Sequence, residues 1–162
     1  MNVEINNPLK NPTLDKYLEE RRDLKPGSED FMQCMNVIAR EIALEGKFLA
    51  PIKAAPEAVD MKPNGTGRLK EGNSFSFVQL TAPDGTQFFP AFTNWMEVRK
   101  GDMFLSEDTM FLTLTFDDYM TIVEDDAGVV VNPFSDNVIF PNEGLKHMAG
   151  MKAKELSQKA GK

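Results

Sequence analysis

Chemistry at a protein site needs a small set of side chains, and this sequence is poor in them. It holds one histidine, His147, and one cysteine, Cys34. A zinc site takes three or four His, Cys or carboxylate ligands in a tight cluster, so one of each makes no conventional site. A serine or cysteine hydrolase needs a base beside its nucleophile, usually histidine. His147 stands among Lys and Met in a C-terminal helical stretch, and no Gly-x-Ser-x-Gly elbow occurs. Cys34 falls on the apolar face of a helix, where a thiol behaves as a small hydrophobe. Gly65-Thr66-Gly67 has Lys62, Arg68 and Lys70 around it. A phosphate cradle would need a helix N-terminus directly after the loop, whereas residues 69–73 lead into a strand. A hairpin loop is the better reading.

Carboxylates are abundant. Asp117-Asp118 and Glu124-Asp125-Asp126 flank one predicted helix. A hard cation such as calcium wants about six to eight oxygens, but the EF-hand spacing does not occur and the two groups stand a helix length apart. They read as a solvated acidic surface. Walker and dinucleotide patterns are absent. The expectation is a protein with no catalytic set, no metal and no cofactor.

Charge bears on partners. The 162 residues carry a net charge of −7, which argues against nucleic-acid binding, since that needs a basic surface to displace counterions. The charge is also uneven. Between positions 106 and 143 there are nine acidic residues, Glu107 and Asp108 among them, and no Lys or Arg; from position 144 onward there are five Lys and one Glu. The basic stretch 149–162 is either an interaction tail or a solvated helix whose lysines complement the negative end of the helix dipole. No stretch reaches the roughly 18 apolar residues a membrane helix requires, and the N-terminus lacks the basic and apolar regions of a signal peptide. With a lone cysteine, which suits a reducing compartment, this predicts a cytoplasmic protein without membrane contact. Hydrophobic residues at 41% are enough for an ordinary globular core.

The elements that must position any site follow from periodicity. Asn11-Pro12 opens a first helix, with Leu14, Tyr17, Leu18 and Arg21 on one face. Ser28 caps a second, with Phe31, Met35, Ile38 and Ile42 at helical spacing and Gly46 as its stop. Residues 48–52 read as a strand and 61–73 as a mobile polar loop. Residues 74–92 read as a hairpin about Pro83-Asp84-Gly85, with Pro90 marking an edge or a bulge. A short helix carries Trp95. A strand over 110–116 leads to a helix capped by Asp117 and ended by Gly128. Val129, Val130 and Val131 form a strand buried on both faces. A turn over 132–137 returns as the strand 138–140, and Pro141-Asn142 starts a C-terminal helix with Leu145 and Met148 on its apolar side. The fold class is α+β: two N-terminal helices, a mixed, mostly antiparallel sheet of about five or six short strands, and a C-terminal helix.

Aromatic and methionine residues point to binding more than to catalysis. Phe92, Trp95 and Phe134 sit at strand ends and turns, where apolar groups form either core lids or a contact patch. Met148 and Met151 on the last helix offer either packing or an adaptable docking surface. Asn132 tolerates a left-handed turn, Pro133 fixes the bend and pushes Asn132 toward extended backbone, and Phe134 then plugs the core or lines a cleft.

Three stretches in order, 83–98 with its FFPAFTNWMEV, 116–128 (FDDYMTIVEDDAG) and 129–141 (VVVNPFSDNVIFP), resemble the N-terminal domain of the SseB family, the "enhanced serine sensitivity protein B". The resemblance covers residues 46–148, inside a single domain 1–162 that adds a helical pair over 1–45 and the basic tail 149–162. It implies a small bacterial α+β domain with no agreed activity and brings no catalytic residues. Larger family members look as though they carry a second, C-terminal domain, where here a short basic helix stands.

Together these readings predict a non-catalytic module that binds another protein through Phe92, Trp95, Asn132, Phe134, Met148 or Met151, or through a sheet edge. A small-metabolite site, amino-acid-like in view of the family's serine phenotype, near Asn132 and Phe134 is the alternative. Homo-oligomerisation by edge pairing near Pro90 is a third.

Overall fold

The computed structural model describes residues 3–102, 104 and 109–160. Ser28 takes extended backbone and its hydroxyl accepts from the Phe31 amide, which starts α2 (Glu29–Leu44). Cys34, Ile38 and Ile42 then fall on one buried stripe. Before it, α1 (Pro12–Arg22) buries Leu14 and Leu18. Asn11 precedes that helix, but its side chain does not cap it; it is used elsewhere. The helix α4 (Phe116–Ile122) is capped by Thr115, not Asp117, in a reciprocal box with Asp118. Gly128 does not end α4. It opens a strand, because a Cβ there would stand 2.5 Å from the Phe140 carbonyl oxygen and 2.9 Å from the Phe88 ring. The last helix, α5, spans Asn142–Ala160.

Ten short strands form two sheets among the described residues. The larger holds β1 (Glu4–Ile5), β2 (Lys47–Lys53), β3 (Val59–Met61), β4 (Gly67–Leu69), β5 (Ser76–Phe77) and β8 (Thr109–Thr115), in the order β3-β4-β1-β8-β2-β5, all antiparallel. The smaller holds β6 (Leu80–Thr81), β7 (Gln87–Ala91), β9 (Gly128–Val131) and β10 (Val138–Phe140), in the order β10-β9-β7-β6, with β7 and β9 parallel. The α+β class and the mixed, mostly antiparallel pairing are as expected, and the extra strands have local causes. The stretch read as a mobile polar loop contains β4, which pairs with both β3 and β1. The run 74–81 divides: β5 joins β2, whereas β6 makes the hairpin with β7.

The two prolines inside strands explain where the sheets part. Leu49 exchanges backbone hydrogen bonds with Phe92 at 2.9 and 3.1 Å, linking β2 to the end of β7. Backbone groups alternate in direction along a strand, so Pro51 turns to that same edge, where its carbonyl accepts from the Val78 amide. In β7, Ala91 accepts from Asn132 on the β9 side, so Pro90 faces the other way, past the end of β6. Its carbonyl accepts from the buried Tyr119 hydroxyl at 3.0 Å. Burial pushes the Tyr119 phenol well above its usual value. Pro90 therefore marks neither a bulge nor an edge strand: β7 lies between β9 and β6, and the proline occupies the gap where an amide would have no partner.

β2 and β8 are buried on both faces, and their alternation feeds two cores. Phe48, Ala50, Ile52, Met110, Leu112 and Leu114 enter the main core with the apolar stripes of α1, α2, α4 and α5. Leu49 and Phe111 point to the opposite face, where they meet Phe92, Val98 and Phe104. That second core is lidded by α3 (Trp95–Arg99).

Candidate functional site

The second core gathers the aromatics. The Phe92 ring, fully buried, lies 5.7 Å from Phe104, 6.2 Å from Phe111 and 5.7 Å from Phe134. Trp95 stands edge-on to Phe111 at 5.1 Å and donates its indole N–H to the Asn7 carbonyl at 2.9 Å. Edge-to-face pairs of this kind add roughly 0.5–1.5 kcal/mol each beyond area burial. Phe134 lies over Gly101, where a Cβ would stand 2.5 Å from its ring. Three of the residues expected to bind thus come together, but Phe92 is unavailable to a partner because it is the centre of the cluster.

A polar junction supports this core. Asn132 takes left-handed backbone at φ 49°, so the expectation that Pro133 would hold it extended is overturned. Its amide N–H bonds the Ala91 carbonyl and its own carbonyl accepts from Ser135 and Asn137, which over-determine the turn. The Asn132 side chain accepts from the Thr93 amide at 3.0 Å and donates to the Thr93 hydroxyl and to Asp136 at 3.1 and 3.0 Å. Thr93, fully buried, donates its hydroxyl to Asp15 at 2.6 Å. Asn11 donates to the Thr93 carbonyl at 2.8 Å and to the Lys47 carbonyl at 2.7 Å. That is why it caps no helix. Arg22 reaches Asp136 at 2.7 Å, and Arg21 donates to the Asp136 carbonyl. Burial would raise the Asp136 carboxyl, but the hydrogen bonds from Arg22 and Asn132 and the two arginine charges hold it below the usual carboxylate value. Nearby, the buried Glu97 carboxylate accepts from Ser135 and pairs with Lys100.

Above the junction lies an open groove of about 380 Å³. Pro8, Leu9 and Pro12 form one wall; Trp95 and Met96 form the other. Met96 is 70% exposed. The exposed Lys10 and the half-buried Asp15 and Asn94 complete the lining. Asp15 and Asn94 are both engaged: Asn94 donates to Asp15 at 3.0 Å and caps α3 by accepting from the Glu97 amide. The groove interior is accordingly almost wholly apolar.

A family model, the SseB protein N-terminal domain, matches residues 14–147. The chain belongs to the SseB family. The match takes in most of α1, all of α2 and every strand but β1, so Asp15, Thr93, Asn132, Asp136 and the Trp95 wall of the groove lie inside the family's domain, whereas Asn11, Pro8 and Leu9 precede it. No curated protein and no solved structure matches the chain.

In this SseB-family chain the remaining expected residues stand apart from the junction and the groove. Met148 is buried in the main core and so offers no docking surface, and Met151 packs partly buried against it. The basic helix beyond them is tied down: Glu155 pairs with Arg40 at 2.7 Å, and Lys152 reaches Asp117 at 3.0 Å over the Phe116 ring. His147 is exposed. Cys34 donates to the Tyr17 carbonyl, and burial, with the Glu20 charge, raises its thiol. Among the described residues no group of three or more His, Cys, Asp or Glu is placed to hold a metal, and no helix is long and apolar enough to cross a membrane. Glu107 and Asp108 of the acidic run lie outside the described residues.

Sequence reasoning missed Thr93, Asp15 and Met96. The signal for Met96 was weak but present: a large apolar residue beside Trp95 on a five-residue helix whose other side, Glu97 and Val98, is buried.

Proposed function

We propose that this chain is a non-catalytic protein-interaction module that uses the groove beside Trp95 as its contact surface. The observation that carries this reading is an apolar groove left open on a rigid base, with Met96 exposed beside a half-buried tryptophan. Aromatic residues and Met are enriched at protein interfaces, and a pre-organised surface loses little freedom on binding. The partner is a protein segment, and the setting is the bacterial cytoplasm, where a lone buried thiol stays reduced. The metabolite alternative near Asn132 and Phe134 has less support, because the Asn132 amide is committed to Thr93 and Asp136 and the Phe134 ring to the aromatic core.

Photo-crosslinking in cells tests the proposal. A photoreactive residue at position 96 is expected to yield partner adducts that the same residue at Lys154, exposed on α5, does not. Adducts from 154 and none from 96 would contradict it.

A further inference from the structure

Building on the groove reading, we infer that the groove takes a peptide segment in which one or two large apolar side chains are flanked by Asp or Glu. The interior sets the apolar part. The neutral polar side chains around it are engaged: the Trp95 indole N–H is held by Asn7 and the Asn94 side chain by Asp15 and Glu97, while the Asp15 carboxylate already accepts from Thr93 and Asn94. A proline-rich ligand, which docks an aromatic-lined groove in its extended form, would find no free indole donor for its carbonyls. Packing of side chains against Trp95 and Met96 remains.

The rim sets the charge. Lys10 lines the groove, and Arg99 lies three residues from Met96, hence on the same face of α3. Both are exposed, and neither has an ion-pair or hydrogen-bond partner among the described residues. Of the anionic groups on the same elements, Glu97 is paired with Lys100, and Asp15 keeps its charge but turns its two oxygens to Thr93 and Asn94. On a chain of net charge −7, Lys10 and Arg99 give this face two cations without a counter-ion among the described residues. Rim charges of this kind act mainly on selectivity and association rate.

A random-peptide phage library selected on the chain and counter-selected on its Met96→Asp variant tests this. Binding of each synthetic peptide is followed by the fluorescence of Trp95, the chain's one tryptophan, which sits in the groove wall. Met96-dependent peptides are expected to carry Asp or Glu beside Leu, Phe or Met. The Lys10→Gln, Arg99→Gln double variant should weaken them about threefold to tenfold and flatten their salt dependence. Met96-dependent peptides that are neutral or basic, or affinities unmoved by the double variant, would overturn the acidic-apolar chemistry while leaving the groove reading in place. A concentration-dependent dimer broken by Met96→Asp would assign the groove to a second copy and overturn it as well. Recovery of no Met96-dependent peptide would remove the groove reading itself.

Discussion

The polar junction and the groove share two short stretches, around Asn11–Asp15 and Thr93–Glu97, yet they are opposites. In the junction, hydrogen bonds of 2.6 to 3.1 Å join Thr93 and Asn132 to each other, to Asp15 and to Asp136, and Thr93, Asn132 and the Asp136 side chain are sealed from water. In the groove, Met96 is largely exposed and Trp95 only half covered, and Lys10 and Arg99 have no counter-ion among the described residues. A group whose partners are all within its own chain specifies the fold; a group left without them is available to something else. The junction locks α1, α3 and the β9–β10 turn together, so the groove walls are held at fixed spacing before any partner arrives.

The contrast can be broken first at the junction. Asn132→Ala should destabilise the chain by about 3 kcal/mol in urea unfolding, since it loses buried hydrogen bonds and strains a left-handed residue. Asn132→Gly, which keeps the backbone but not the amide, should lose less. A loss under about 1 kcal/mol for the alanine variant would mean the junction does not hold the fold together. Next comes the aromatic core: Phe134→Ala should lose about 2 kcal/mol, less than a fully buried Phe, because the ring is only partly covered.

Acid should probe the junction without mutation. The Asp136 side chain is 1% exposed and its carboxyl is held below the ordinary value. Its contribution is fully present above the unfolded value near about pH 4 and is lost as pH falls through the lower folded value. Between about pH 5 and about pH 3, urea midpoints of the wild type should therefore fall more steeply than those of Asp136→Asn; parallel slopes would contradict the assignment. The smallest effect belongs to the tail. The Arg40–Glu155 pair is largely open to solvent at Arg40, so Arg40→Ala should leave the urea midpoint nearly unchanged.

The sequence was legible where one local rule decided the outcome. Ser28 before an amphipathic run announced α2, and three valines announced a strand buried on both faces. Asn132-Pro133 announced a turn, although two rules collided there: the residue before proline disfavours helical backbone, while Asn tolerates the left-handed region. The cross-chain hydrogen bonds from Ala91, Ser135 and Asn137 decided for the left-handed form. Other features depend on partners distant in sequence. β4 is a strand because β1 and β3 flank it, and nothing in Gly67-Arg68-Leu69 alone says so. Thr93 is a hub because Asp15, Asn11 and Asn132 converge on it from positions up to 82 residues away. For the same reason Phe92 and Met148 looked available at a strand end and on a helix face, yet both are core.

The division between junction and groove meets its most direct test at Met96. The side chain is exposed and adds nothing to either core, so Met96→Asp should leave the unfolding midpoint unchanged. Calorimetric titration of the partner crosslinked at position 96 should then show affinity reduced at least about tenfold for the variant. Undiminished affinity in a fully folded Met96→Asp protein would contradict the account.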